Sequence, residues 1–177
     1  KCLKLSKIAI HRFKNFDFLC TWYNKIESMY KALLQMNMQK AIKLAKTSGV
    51  DLPVGCVILD SNDNIIAQSI NEVENNNNVL CHAEILAINK AIKKLNTKYL
   101  NGCKMYVTLE PCPMCAWSII LSRIDTVYFG AYDINYGALL SKYDLRKSIN
   151  SKLKVFGGIC EDECILLIKD YFKNLRV

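Results

Sequence analysis

The sequence predicts an α/β protein, a three-layer α/β/α sandwich around a mixed five-stranded sheet. Apolar residues at helical spacing alternate with short β-rich runs from residue 38 to the end of the chain. Only a turn separates the first two strand-like runs, which predicts an antiparallel hairpin, whereas helices separate the later ones, which favours parallel pairing. Hydrophobic residues make up 51% of the 177 residues, enough to fill the core of one domain.

The first elements are a helix and a hairpin. Apolar residues recur every three or four positions from Met38 to Lys46, and the helix ends at Ser48-Gly49, a helix-ending pair. Strands at 54–59 and 65–70 flank a run of turn-forming Asp, Ser and Asn residues. Asn71 therefore lies at the end of the second strand, before a polar loop.

The later elements alternate between helix and strand. The spacing of Ile, Leu and Ala after His82 predicts a buried helix to Leu95, and Pro111 predicts the first turn of another. The remaining predictions are a strand at 105–109, a helix at 111–122, a strand at 126–131, a looser helical segment at 139–147, a short strand at 153–156 and an amphipathic helix at 164–175.

The first 35 residues are predicted to be separate from the folded domain at 36–177. Residues 1–16 contain several basic residues and no acid, so a targeting segment or a helical arm would both fit, and no function is assigned to residues 1–35. No apolar run approaches the roughly twenty residues that a membrane span needs, so no membrane partner is expected.

Nine cysteines in a chain of this size argue for a reducing compartment. Their odd number excludes complete pairing, and they lack the density of a small secreted scaffold. The expected location is the cytoplasm, with an organelle as the alternative if the N-terminal segment is a transit peptide. The net charge of +8 favours a polyanionic partner such as nucleic acid, although a lysine-rich composition with no role beyond solubility fits equally well.

A cysteine pair, a histidine and a glutamate form the pattern that carries chemistry. Cys112 and Cys115 have CxxC spacing at a predicted helix N-terminus, where the helix dipole favours the thiolate form that binds metal. Redox dithiols and structural zinc sites share this spacing. His82, at the start of another helix, supplies a third ligand and leaves a fourth position for water, as catalytic zinc sites require.

Glu84 lies two positions after the predicted zinc ligand His82. A carboxylate there is near the metal without having to bind it, so it can take a proton from an activated water and return protons to a substrate nitrogen and a leaving amine. The simpler alternative is an acid in the first turn of a helix that complements the helix dipole.

These motifs resemble the signature of the zinc-dependent cytidine deaminase-like superfamily, and within it the TadA-type tRNA adenosine deaminases. The resemblance rests on His82-Ala83-Glu84 and Pro111-Cys112-Pro113-Met114-Cys115 and covers residues 38–176 in order. Further matching strings are Leu52-Pro53-Val54-Gly55, Asn71 at its strand end, residues 106–116 (YVTLEPCPMCA), Ser122-Arg123-Ile124 and Phe129-Gly130-Ala131-Tyr132-Asp133.

The resemblance implies hydrolysis of adenosine to inosine at the wobble position of a tRNA anticodon, by a homodimer that binds the anticodon stem-loop. It implies one zinc ion per subunit and Glu84 as the proton shuttle. The implied zinc ligands are His82, Cys112 and Cys115, and the implied substrate contacts are Asn71, Pro53, Val54, Ala83, Asp133, Tyr171 and Phe172. One of the two C-terminal aromatic residues is as readily explained as a side chain that faces the core.

Three positions depart from the family pattern. Asn135 stands where a lysine is common, Leu121 replaces a frequent histidine, and Val79-Leu80 replaces the usual lead-in to the zinc histidine. These differences bear on the substrate more than on the chemistry. Two other functions stay open, a deaminase of a free base or nucleotide such as guanine or cytosine, and a non-enzymatic protein in which zinc only stabilises the fold.

Overall fold

The computed structural model describes residues 16–175, with side chains from residue 21 onward. The chain divides into two compact units, residues 1–34 and 35–177. Residues 1–15 of the predicted extension lie outside the described part, and in the first unit residues 16–34 are helical.

Helices and strands alternate as predicted, with shifted ends. The elements are α1 (Phe16–Ala45), β1 (Gly55–Leu59), β2 (Ile65–Ile70), α2 (Ala83–Leu95), β3 (Lys104–Leu109), α3 (Pro113–Leu121), β4 (Thr126–Ala131), α4 (Leu145–Ser148), β5 (Lys154–Phe156) and α5 (Glu161–Asn174). None of the described helices is long and apolar enough to cross a membrane.

The predicted start of the first helix at Met38 is wrong, because α1 already begins at Phe16. No Gly or Pro interrupts residues 16–45, so nothing in the backbone chemistry ends the helix upstream of Met38. The prediction relied on apolar spacing, which is clearest where Met38, Ala41 and Ile42 are buried.

The five strands form one mixed sheet in the order β2-β1-β3-β4-β5. β1 pairs antiparallel with β2 and with β3, whereas β4 pairs parallel with both β3 and β5. This is the predicted hairpin followed by parallel crossovers. It brings the carboxyl ends of β2, β3 and β4 to the same edge of the sheet.

Helices cover both faces of this sheet. Cys56, Val107 and Phe129 lie in register across β1, β3 and β4, and they share a core with Ala87 and Ile119 from α2 and α3. The opposite face carries Gly55, Thr108 and Gly130. A Cβ atom on Gly55 would meet the Ala41 carbonyl oxygen, and one on Gly130 would meet Cys164 Sγ, so α1 and α5 pack against this face. The predicted three-layer fold is confirmed.

Candidate metal centre

His82 is held at the carboxyl edge of the sheet by the strand that precedes it. It is the N-cap residue of α2, and its carbonyl oxygen accepts the first helical hydrogen bond, from Leu86 N–H at 3.1 Å. The Glu72 N–H donates to the Cys81 oxygen at 3.0 Å, and the Ser69 hydroxyl donates to the Ala83 oxygen at 2.8 Å. The residues on either side of His82 are therefore fixed to the end of β2.

The two cysteines lie at the start of α3, directly after β3. The helix begins at Pro113, two residues later than predicted, because Pro113 and not Pro111 occupies its first turn. Cys112 is the N-cap residue, and its carbonyl oxygen accepts the N–H of Ala116 at 2.8 Å. Cys115 follows inside the first turn, so both thiols are on the same side of the helix end.

The three predicted ligands converge. His82 Nδ1 lies 3.8 Å from Cys112 Sγ and 3.5 Å from Cys115 Sγ, and all three ligand atoms lie within 4.8 Å of one another. A tetrahedral zinc ion with ordinary Zn–S and Zn–N bond lengths separates its sulfur and nitrogen ligands by about 3.6 Å. The spacing and the S, S, N donor set therefore fit zinc. Three protein ligands, rather than four, are typical of a catalytic zinc site.

The electrostatics favour thiolate at this position. A hydrogen bond from Cys115 and a second from His82 lower the pKa of Cys112 to about 4. The same contact and burial raise the pKa of Cys115, while the hydrogen bond to Cys112 raises the pKa of His82. The Cys112 thiolate is therefore stabilised by hydrogen bonds from Cys115 and His82. A metal cation placed between the three groups would stabilise the same negative charge.

Glu84 lies against this cluster and is only 4% exposed. Desolvation raises the pKa of its carboxyl group to about 7, and a hydrogen bond with Cys115 opposes part of that increase. Glu84 is not a member of the set that could hold a metal. A buried carboxyl group that titrates near neutral pH beside the metal ligands has the properties of a proton carrier.

Asn71 and the Pro53-Val54 turn lie next to each other at the same edge. The Val54 carbonyl oxygen accepts the Asn71 N–H at 2.9 Å, and Val54 belongs to the core. The Asn71 side chain donates from Nδ2 to Asp51 Oδ1 at 3.2 Å. Because the residues that follow Asn71 are fixed to Cys81, this predicted substrate-binding residue is connected to the segment that carries His82.

Asp133 shapes its own loop. Its Oδ1 accepts the N–H groups of Asn135 at 2.9 Å and Tyr136 at 3.0 Å, which forms a tight turn after β4. The carboxylate is therefore committed to the backbone of the loop, and a direct contact of Asp133 with substrate stays a prediction.

The two C-terminal aromatic residues differ in their surroundings. Their rings pack edge to face with centroids 5.4 Å apart on α5. The Tyr171 hydroxyl donates to the Val50 carbonyl oxygen at 3.2 Å, which connects α5 to the loop before Asp51, whereas Phe172 is exposed. Phe172 is thus the more accessible of the two for an external ligand.

Sequence reasoning missed two buried carboxylates, Asp51 and Glu110. Each holds a loop beside the site. Glu110 accepts hydrogen bonds from the Asp133 N–H at 3.3 Å, the Leu139 N–H at 3.2 Å, the Leu140 N–H at 2.7 Å, the Ser141 N–H at 2.9 Å and the Ser141 hydroxyl. The available signal was an acid near a proline, since Glu110 directly precedes Pro111 and Asp51 lies two positions before Pro53. This pattern is too common to identify a role.

The chain also matches known proteins. Residues 32–131 match the model of the family described as the cytidine and deoxycytidylate deaminase zinc-binding region. The fold and the three-ligand site therefore define a zinc-binding deaminase. A tRNA-specific adenosine deaminase of Rickettsia bellii is 41% identical over 144 residues, which are 78% of this chain and 99% of the relative. The chain belongs to the tRNA-specific adenosine deaminase family, and the resemblance drawn from its motifs is confirmed.

Solved structures place the chain in the same group. A structure from work on A-to-I editing by tRNA:A34 deaminases at the wobble position of transfer RNA has a TM-score of 0.70 and 34% identity, covering 73% of this chain and 96% of that one. A guanine deaminase from Bacillus subtilis has a TM-score of 0.52 and 31% identity, covering 65% and 69%. The likeness is greater to the tRNA deaminase in both fold and identity.

Proposed function

We propose that this protein hydrolyses adenosine to inosine at the wobble position of a tRNA anticodon, releasing ammonia. The observation that carries the proposal is the convergence of His82, Cys112 and Cys115 beside the buried Glu84 in a member of this family. A zinc ion held by these three residues would act as a Lewis acid and activate the attacking water. The deaminase domain is taken as residues 36–177.

Glu84 moves the protons. It accepts the first proton of the attacking water and passes it to N1 of the purine ring, and it then takes the second proton, from the hydroxyl group now bonded to C6, and passes it to the amine that leaves C6. Burial that raises the pKa of Glu84 to about 7 suits this role, because a group that titrates near the working pH can both accept and donate a proton. The N–H groups near Ala83 and Cys112, at the two helix N-termini, would lie close to the attacking water and stabilise negative charge that develops during attack.

The substrate pocket is assigned to the edge of the sheet around Asn71. Asn71 would hold the flipped nucleotide, and Pro53 and Val54 would line the pocket for the base. Asp133 and the loop that it shapes, together with Tyr171 and Phe172 on α5, would contact the anticodon stem-loop. The net charge of +8 supports a nucleic acid partner whose phosphates bind basic side chains.

A second copy of the chain is the proposed partner of the protein itself. Trp117 and Leu121 are one turn apart on α3 and are 40% and 60% exposed, an apolar stripe that a homodimer would bury. Sedimentation velocity measures the oligomeric state directly.

The proposed compartment is the cytoplasm or an organelle, where tRNA is present and thiols stay reduced. All seven described cysteines are free, as a reducing compartment requires.

Deamination of a free base is the competing function, because the same metal and glutamate serve it. The chain is less identical in sequence to the Bacillus subtilis guanine deaminase, at 31%, than to the tRNA-specific relatives, at 34% and 41%. A small substrate also gains nothing from a broadly basic protein.

The decisive experiment is an assay of the purified zinc-loaded protein with unmodified tRNA that carries a wobble adenosine, in parallel with free guanine, cytosine and adenosine. We expect inosine at the wobble position alone. A Glu84→Ala preparation controls for contaminating activity. Product from a free base only would keep the four residues in their roles but reject the tRNA substrate.

A further inference from the structure

Asp51 is a buried carboxylate that organises the substrate edge without facing the metal cluster. It is 1% exposed and precedes the Pro53-Val54 turn. Its Oδ1 accepts Asn71 Nδ2 at 3.2 Å and the Glu74 N–H at 2.8 Å, and its Oδ2 accepts the Asn75 N–H at 3.1 Å. A single side chain therefore fixes the Asn71 carboxamide and the first turn of the loop after it.

These contacts decide which way the Asn71 carboxamide points. An ionised carboxylate only accepts hydrogen bonds, so the amide nitrogen of Asn71 has to face Asp51. The carbonyl Oδ1 of Asn71 then points away from Asp51. Among the hydrogen bonds of the described residues, none is donated to this oxygen, and Asn71 is buried but 7% exposed.

We infer that Asp51 is a positioning residue that makes Asn71 a hydrogen-bond acceptor for the target nucleoside. The inference rests on the proposed function and adds the polarity of the contact, namely that Asn71 Oδ1 takes a donor group of the substrate.

An adenosine within an RNA chain offers two conventional donors, the exocyclic amine and the ribose 2′-hydroxyl, because the 3′ and 5′ oxygens of its ribose are esterified to phosphate. Either would satisfy Asn71 Oδ1. A tRNA with 2′-deoxyadenosine at the wobble position tells them apart, because it removes one donor and keeps the other.

The test is Asp51→Asn in the full-length, zinc-loaded protein. The new carboxamide has a single acceptor oxygen, so its nitrogen faces either the Asn71 amide and the Glu74 N–H at the Oδ1 position or the Asn75 N–H at the Oδ2 position. Either the Asn71 carboxamide loses its partner or the loop that follows it loses an anchor. We expect kcat/KM for tRNA to fall roughly ten- to a hundredfold, the range for loss of one buried hydrogen bond to a substrate, at unchanged zinc content.

Asp60→Asn is the matched control. Asp60 also accepts two backbone N–H groups and one asparagine amide, those of Asn62 and Asn64, but in the turn between β1 and β2 at the opposite edge of the sheet. Its substitution should leave kcat/KM unchanged. If Asp51→Asn does not yield folded protein, Asp51→Glu keeps the charge and displaces the oxygens, with the same expected loss.

A double-mutant cycle separates positioning from general stability. Asp51→Asn should cost less than twofold when added to Asn71→Ala, and if the donor is the 2′-hydroxyl, both single variants should lose the preference of the native protein for the ribose substrate. A native kcat/KM in Asp51→Asn, or an undiminished cost in the Asn71→Ala background, would overturn the inference. Absence of tRNA deamination by the native protein would instead reject the proposed function.

Discussion

Glu84 combines two properties that rarely occur together, deep burial and a functional charge. A carboxyl group that is 4% exposed would ordinarily be costly to ionise, and its raised pKa of about 7 reflects that cost. Such a residue contributes little to stability in its own right. Its position beside His82 and the two cysteines is explained by proton transfer.

Replacing Glu84 by alanine should separate chemistry from metal binding. We expect the Glu84→Ala variant to retain about one zinc ion per chain. Its turnover should fall by roughly 10²- to 10⁴-fold, the usual contribution of a general acid–base group. Metal analysis and single-turnover kinetics measure the two quantities. His82→Ala, which removes a proposed ligand, is the control that should lose zinc, and loss of zinc from Glu84→Ala itself would refute the proposed role.

The four central residues could be predicted from sequence because each pair is local. Cys112 and Cys115 lie three positions apart, so one helical turn brings both thiols to one side, and His82 and Glu84 both lie at the start of α2. Asp51 and Glu110 could not be predicted in the same way. Their hydrogen-bond donors lie 20 to 31 residues away along the chain, and only the folded sheet brings them together.

At the level of elements, the backbones of α1 and β1 approach each other closely at Gly55. A Cβ atom on Gly55 would meet the Ala41 carbonyl oxygen and lie 2.8 Å from the Ala45 nitrogen. Both are backbone atoms of a helix, so neither can rotate away. Gly55 therefore sets the distance of α1 from the strand that leads out of the Pro53-Val54 turn.

Gly55→Ala should destabilise the protein measurably. Overpacking of a tight core contact costs about 1–3 kcal/mol, and the rigid backbone on both sides places this substitution at the upper end. The free energy of unfolding from urea titration is the measurement. Gln68→Ala, at an exposed position of β2, should change it by no more than about 0.5 kcal/mol; equal stability of the two variants would contradict the packing argument.

Most elements could be predicted from the alternation of apolar patterns, whereas several of their ends could not. The helix that carries the cysteines starts at Pro113 and not at the predicted Pro111. Both prolines suit the first turn of a helix, and the sequence alone does not distinguish between them. The start of α1 was missed because residues 16–37 lack a clear apolar face, and Trp22, Tyr23 and Met29 are exposed.

For the molecule as a whole, the net charge of +8 predicts a strong dependence of tRNA recognition on salt. Each phosphate neutralised in a single-stranded region contributes a slope of about −0.7 to the dependence of log affinity on log salt concentration. We expect KM for tRNA to rise steeply between about 50 and about 200 mM salt, while kcat stays nearly constant. Steady-state kinetics across this range measure the slope.

A short anticodon stem-loop serves as the comparison substrate. It offers fewer phosphates to surfaces distant from the site, so its slope should be smaller than that of full-length tRNA. Identical slopes would restrict the functional charge to the neighbourhood of the anticodon, and a slope near zero for both would show that the basic composition serves solubility alone.

The hydrogen bonds of Glu110 hold the loop after β4 by its backbone, so side chains in this loop can be replaced. One carboxylate receives the backbone N–H groups at 133 and at 139–141, and it makes no demand on the side chains at 134–136. A Cβ atom on Gly137 would lie 2.5 Å from that carboxylate, so glycine is required there, and Ala138 and Leu139 are fully buried, whereas residues 134–136 are exposed. Three-residue segments from related deaminases can therefore be grafted at 134–136 without rebuilding the metal centre. This makes the segment the natural place to re-engineer which RNA the enzyme accepts.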